Sequence, residues 1–264
     1  MKYFMLHKPK DCLSSANNKD GCKSGRKTVY DYAEENGFPK IGLVGRLDFR
    51  TTGLMIFTDD SRLNKAISYK NFKRSIANNV PPVTKVYHTT VAGKFNQNDP
   101  QIEKLREPLH YPSCDWDGYY TLPADVDVIS CNQVQPHEDP HIDNPRYQCW
   151  VTCLRITLRE GKKHQIRRLC HRSRLNLRSL HRVSVGPLEL GDLPVSRCRA
   201  LTMEEVLMLY KHVLPNDPAP FHFDEINSII KKIFTNMQLH IPDSALNQTF
   251  IPHVCNYLWV YQCC

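Results

Sequence analysis

The run Gly45-Arg46-Leu47-Asp48-Phe49-Arg50-Thr51-Thr52-Gly53 sets one carboxylate between an arginine and a threonine pair, on a turn bounded by two glycines. The apolar Leu54-Met55-Ile56-Phe57 follows it and reads as a buried strand. Glycine reaches φ > 0 and lets a ligand or another chain approach the backbone closely. An aspartate on such a turn can be aimed into a cleft while the next strand holds its base rigid. It can equally close an Asx-turn on its own backbone. Either way this is chemistry for a lone carboxylate. A metal-dependent nuclease would want several acids converging, and Asp59-Asp60 and Glu204-Glu205 read instead as turn and helix-start residues.

The surrounding elements must present that turn. Lys2–Leu6 reads as a strand leading into a polar loop over 17–27. Thr28 is placed to cap a helix over Val29–Asn36, where Val29, Tyr30 and Ala33 recur at helical spacing. Gly42–Gly45 forms a short strand into the turn, Leu54–Thr58 the strand out of it, and Ser61–Tyr69 a helix. Val83–Val91 is strand by its β-branched and aromatic content. Residues 107–148 read as short strands and loops, with a surface insertion near 132–147. Val151–Leu158 alternates with strand period, and Gly161 turns the chain into a helix with Ile166, Leu169 and Cys170 on one stripe. Arg178–Val185 is another strand, and Thr202 with Glu205 forms a capping box for a helix to Lys211. Residues 215–220 read as a proline-rich linker, followed by a tail with a helical stretch over 224–234. The expected division is 1–212 as one domain and 213–264 as an extension that packs onto it.

At 264 residues the chain can bury a sizeable core. Lysine and arginine outnumber the acids 35 to 27, a net charge of +8 that favours a polyanionic partner. No apolar run is long enough to span a bilayer, and the start reads as a strand rather than a signal peptide, so a soluble intracellular monomer is expected. The 11 cysteines include no Cys-x-x-Cys pair and read as reduced thiols. A zinc site from Cys131, His137, His141 and Cys149 matches no familiar ligand spacing, and no metal or small-molecule cofactor is expected.

Gly45-Arg46-Leu47-Asp48 with Thr52-Gly53-Leu54 resembles the catalytic motif of pseudouridine synthases, in the RsuA-like branch that modifies ribosomal RNA. The resemblance runs in order through most of residues 1–210. Met5-Leu6-His7-Lys8-Pro9 is similar to the opening Asn-Lys-Pro strand, and Lys85-Val86-Tyr87 to the Lys-x-Tyr motif. Asp117-Gly118 and Pro123-Ala124 follow. Glu160-Gly161-Lys162-Lys163-His164-Gln165-Ile166-Arg167-Arg168-Leu169 is similar to the Glu-Gly-Arg-x-x-Gln-Ile-Arg-Arg-Met segment. Leu180-His181-Arg182, Val185-Gly186-Pro187-Leu188 and Arg199-Ala200-Leu201-Thr202 resemble the closing pieces. Three positions depart. Lys10-Asp11 and Ser196 stand where the family tends to have glycine, and only Asn176 offers a left-handed residue after the Gln-Ile-Arg-Arg helix. Most of the branch also carries an S4-type RNA-binding domain ahead of the catalytic one. Here the first strand starts almost at Met1, so the expectation is a catalytic domain without it.

The resemblance implies an α+β pseudouridine synthase fold: a large mixed, mostly antiparallel twisted sheet flanked by helices and loops. It implies a uridine isomerase that needs neither cofactor nor metal and acts on RNA, most readily ribosomal RNA. A transfer RNA synthase and an inactive RNA-binding relative are the alternatives. Asp48 would be the nucleophile, Arg167 its cationic partner, and Tyr87 the ring under the target base. Ile166 and Leu180 would wall the pocket, with Arg46, Thr52, Lys85, Arg168 and Arg182 completing substrate contact. Between Arg155 and Arg182 the only acid among eleven charged residues is Glu160, a nearly single-signed run that reads as an RNA-binding surface.

Overall fold

The computed structural model describes residues 1–15, 25–68, 82–112, 118–134 and 149–214. The expected linker, the tail helix, most of the insertion, and His137 and His141 lie outside them. Among the described residues a nine-stranded sheet dominates, an α+β architecture of the expected kind. Two of its strands, β1 (Tyr3–Lys8) and β3 (Thr52–Thr58), run antiparallel in register from Tyr3 opposite Thr58 to Lys8 opposite Gly53. Both are apolar without alternation because both faces are covered. Phe4, Leu6, Met55 and Phe57 join one core with Val29 and Ala33 of helix α1 (Val29–Glu35). Tyr3, Met5, Leu54 and Ile56 join a second core with α2 (Ser61–Ile67) and a C-terminal helix, Met203–Val213. The capping box expected at Thr202 forms with Glu205, and the cap expected at Thr28 proves to be a full box with Asp31. Each satisfies donors that the first helical turn leaves free.

The rest of the sheet has one covered face. The two-residue β2 (Leu43–Val44) pairs with β3, and β4 is Lys85–Ala92. Helix α3 (Pro100–Arg106) and the small hairpin of β5 (His110–Tyr111) and β6 (Tyr119–Tyr120) precede the long strands β7 (Asp125–Val134) and β8 (Cys149–Leu158). Then come α4 (Gln165–Arg172), β9 (Asn176–Val185), β10 (Leu188–Glu189), β11 (Cys198–Ala200) and α5, the Met203–Val213 helix. The order is β11-β1-β3-β9-β4-β8-β7, with β10 on β9. On β4, Tyr87, Thr89 and Val91 are buried while His88 is exposed, the period of a half-covered sheet. Ile102 and Leu105 of α3 and Leu169 and Cys170 of α4 complete that core.

Four local readings change. Thr52 and Gly53 are strand residues rather than turn-formers, since they make the parallel pairing of β3 with β9, opposite His181 and Arg182. There the backbones close so tightly that a Cβ on Gly53 would stand 2.2 Å from the Arg182 carbonyl oxygen. Where only short strands and loops were expected over 107–148, a ten-residue strand forms, β7, an edge whose alternate Asp125 and Asp127 are exposed. Helix α3 was hidden by its shortness. The left-handed residue after α4 is Arg174, not Asn176, which opens β9. Asp11 and Ser196 both hold positive φ, 55° and 68°, so the turns keep a glycine-like conformation with ordinary side chains.

Cys12, Cys131, Cys153, Cys170 and Cys198 are free. Burial pushes Cys12 up to about 11 and Cys170 and Cys198 up to about 12, so these three thiols stay protonated and inert.

Candidate active site

Asp48 stands on a turn held from below by its backbone. The Thr51 N–H donates to the Asp48 carbonyl at 3.0 Å, a backbone turn rather than the alternative in which the carboxylate closes it. Lys8, wholly buried at the end of β1, donates to the carbonyls of Pro9, Phe49 and Thr51 at 3.0, 3.2 and 2.8 Å. Ser14 accepts from the Leu47 N–H and donates to its carbonyl. With these groups engaged below, the Asp48 side chain is left about one-third exposed, facing the cleft. Burial lowers Lys8 to about 8, opposed by Cys12, Asp11 and Asp48.

The second wall comes from the 160–167 segment, which ties itself in place. Buried Glu160 accepts from the Leu122 N–H at 2.7 Å and from Gln165 Nε2 at 3.0 Å. Gln165 Oε1 in turn accepts from the Lys162 N–H at 3.0 Å. His164 then enters α4 in the left-handed region, φ 56°. Ile166, Leu169 and Cys170 face the core as their spacing requires, and Arg167 reaches Asp48 across 119 residues of chain. Its Nε donates to Asp48 Oδ2 at 3.3 Å and its Nη2 to Thr51 Oγ1 at 3.2 Å. His164 Nε2 lies 3.4 Å from the other oxygen, Oδ1.

These groups border an open cleft of about 770 Å³ that also takes in Arg46, Lys85, Tyr87, Ile166, Leu180 and Arg182. Tyr87, Ile166 and Leu180 are nearly buried, so the floor is apolar around an ionic pair. Lys85 is lowered to about 8, first by burial, then by Arg182, with Glu160 opposing. Three of the expected contacts are engaged within the fold. Arg182 is buried and donates through Nε and Nη2 to the Leu54 carbonyl at 2.8 and 2.6 Å. Thr52 Oγ1 bonds His181 Nδ1 at 2.8 Å. Arg168 lies over the Tyr111 ring at 4.5 Å. His164, Thr51 and Lys8 belong to the site, although sequence reasoning gave them no role. His164 and Lys8 lie inside segments already singled out, so only their side-chain direction was hidden. Among the described residues no cluster of three or more His, Cys, Asp or Glu could hold a metal. None of their helices is long and apolar enough to cross a membrane.

The site is thus a lone carboxylate paired with a guanidinium over an apolar floor, set on a mixed sheet. The chain belongs to the RNA pseudouridylate synthase family, whose model matches residues 2–172. It is thus an RNA pseudouridine synthase, an isomerase. It is 28% identical over 206 residues to ribosomal small subunit pseudouridine synthase A of Pseudomonas aeruginosa, covering 78% of this chain and 73% of that protein. It is 31% identical over 194 residues to ribosomal large subunit pseudouridine synthase E of Vibrio parahaemolyticus, covering 73% and 70%. A crystal structure of a pseudouridylate synthase shares the fold, with a TM-score of 0.55 and 24% identity over 79% of this chain and 73% of that one.

Proposed function

We propose that this enzyme isomerises a uridine of ribosomal RNA, with Asp48 as the nucleophile acting on a base extruded into the cleft. The reaction breaks the N1–C1′ bond and joins C5 to C1′. The C5 proton leaves and N1 gains one, so no redox partner is required. The observation that carries the reading is the Asp48–Arg167 pair at 3.3 Å in an apolar cleft. The guanidinium holds the carboxylate oriented toward the cleft by a charge-assisted hydrogen bond, as a positioned nucleophile requires. Tyr87, nearly buried in that cleft, supplies a ring for the uracil to stack on and a hydroxyl to take the C5 proton. Extruding the base costs a few kcal/mol, least for an unpaired one, and backbone contacts must offset it. The ribosomal assignment is supported by the names of both relatives, one a small-subunit and one a large-subunit synthase.

Mapping pseudouridines in total RNA from cells carrying wild-type or Asp48→Asn protein tests this. We expect one or a few ribosomal positions to lose modification by at least about a thousandfold in rate, with RNA binding nearly unchanged. Persistence of every site with Asp48→Asn would remove the nucleophile assignment. Sites lost from transfer RNA instead would remove the substrate assignment. Tyr87→Phe separates stacking, which survives it, from proton removal, which does not.

A further inference from the structure

Beside the cleft stands a feature that isomerisation at Asp48 does not use. The β5–β6 hairpin pairs His110 with Tyr120 and Tyr111 with Tyr119. Tyr111 and Tyr119 stack with ring centroids 5.4 Å apart and planes 3° from parallel. Each carries a cation: Lys162 Nζ lies 4.3 Å from the Tyr119 centroid and Arg168 Cζ 4.5 Å from that of Tyr111. Lys162 also borders the cleft, so the stack begins at the cleft wall and runs outward. Tyr119 stays 43% exposed, and Tyr120, on the opposite face of the ribbon, 71% exposed. Tyr120 sits against His110, ring centroids 5.0 Å apart.

The hairpin is held rigidly. Leu109 N–H donates to Thr121 Oγ1 at 2.8 Å, and Thr121 N–H to the Leu109 carbonyl at 2.9 Å. The Tyr111 hydroxyl donates to the Lys163 carbonyl at 2.8 Å, tying the stack to the loop that carries His164. Gly118, at φ 78°, packs so closely that a Cβ would stand 2.3 Å from the Tyr111 carbonyl oxygen. Folding explains Tyr111, which is buried, but not the exposure of Tyr119 beside Lys162 or of Tyr120 beside His110. Aromatic faces interleaved with cations are the recognition chemistry of unpaired nucleotides, in which each base stacks and each phosphate meets a charge.

We propose that Tyr119 and Tyr120 offer stacking surfaces, one on each face of this ribbon, for the unpaired RNA bases flanking the uridine in the cleft, with the exposed Arg168 holding the backbone on the Tyr119 side. This rests on the reading that the target uridine enters at Asp48. These surfaces fix the neighbouring nucleotides and thereby supply part of the binding energy that extrusion requires. Because stacking is indifferent to base identity, it selects an unpaired context rather than a sequence.

A short oligouridine carrying one 2-aminopurine riboside beside its central uridine provides the probe, since its fluorescence is quenched on stacking. We expect wild-type protein to bind it with quenching. Tyr119→Leu and Tyr120→Leu should each weaken binding by about five- to thirtyfold and relieve the quenching. Tyr119→Phe and Tyr120→Phe, which keep the ring, should behave as wild type. Steady-state turnover should show the loss in KM with kcat retained. Tyr120 is exposed enough that its variant tests the idea even if Tyr119→Leu disturbs the hairpin. Leucine variants equal to wild type in affinity and quenching, or wild-type binding without quenching, would overturn the proposal. Asp48→Asn should quench normally while losing turnover, so failure of the nucleophile reading appears as retained turnover and is read separately.

Discussion

Asp48 has both carboxylate oxygens engaged, Oδ2 by Arg167 and Oδ1 by His164 beside it. Arg167 binds Asp48 and Thr51 through two different nitrogens of one planar group, a fork that an ammonium cannot copy. We therefore expect Arg167→Lys to lower kcat by about a hundredfold while changing KM little, measured by steady-state turnover. Beneath the turn, Lys8 uses its three hydrogens on three carbonyls, and its ordinary value of 10.5 is lowered to about 8. Above pH 8 it loses one donor and the turn loses an anchor, so kcat should fall along an alkaline limb near 8. Stability moves the other way: the unfolded chain binds the proton up to 10.5, so between about 8 and 10.5 the lysine's contribution to folding improves as pH rises. Activity should thus fade with no fall in Tm traceable to this group. Lys85 is lowered to the same range, and Lys85→Met distinguishes the two. A limb that disappears in that variant would belong to Lys85.

Among the elements, three meet at one buried carboxylate. Asp60 caps α2 by accepting from the Arg62 and Leu63 N–H groups at 2.9 and 3.3 Å. It also accepts the Tyr3 hydroxyl of β1 at 2.9 Å and the Tyr210 hydroxyl of α5. Burial raises its pKa, but the bonds from Tyr210, Tyr3 and the two backbone groups outweigh that, and the net shift is downward. Asp60→Ala should cost about 2–4 kcal/mol, combining a lost cap with two orphaned hydroxyls. A depressed value in the folded state means the stabilisation is complete above the ordinary carboxylate range and is lost as pH falls through the folded value. The Tm gap between Asp60→Asn and wild type should therefore be widest near neutrality and shrink below about pH 4. A gap independent of pH would mean that cavity and packing, not charge, hold α5 in place.

Over the whole molecule, the net charge of +8 gives an RNA a field to follow, but the basic run between Arg155 and Arg182 is not one surface. Arg172 donates to the carbonyls of Lys104, Glu107 and Pro108, joining α4 to the end of α3. Arg182 is buried, and Arg159 pairs with Asp125. Arg155 sits on β8 between His88 and Asp127 in register. The residues left for phosphates are chiefly exposed ones of the segment beside the cleft, such as Lys163 and Arg168. With about five such contacts, log Kd against log salt should have a slope magnitude of about 3–4. Lys163→Gln should reduce that slope by about 0.7, whereas Arg172→Gln should lower Tm and leave it alone. Affinity flat between low and physiological salt would show that charge does not drive binding.

The sequence by itself determined the order of motifs, the turn that carries Asp48, the buried β3, the cap at Thr28 and the capping box at Thr202. These depend on residues close in the chain, where spacing translates directly into geometry. The mixed, mostly antiparallel sheet also followed, but only through family resemblance. Tertiary structure alone decided which of many arginines turns inward. Arg167, Arg172 and Arg182 have the same chemistry and neighbouring positions, yet one meets Asp48, one joins two helices and one caps a strand carbonyl. It also brought Tyr111 and Tyr119 against Lys162 and Arg168, elements some fifty residues apart in sequence. A long charged side chain takes its partner from whatever carbonyl, carboxylate or ring the packed chain leaves within reach. Local spacing does not contain that information, because the partner arrives from another part of the fold.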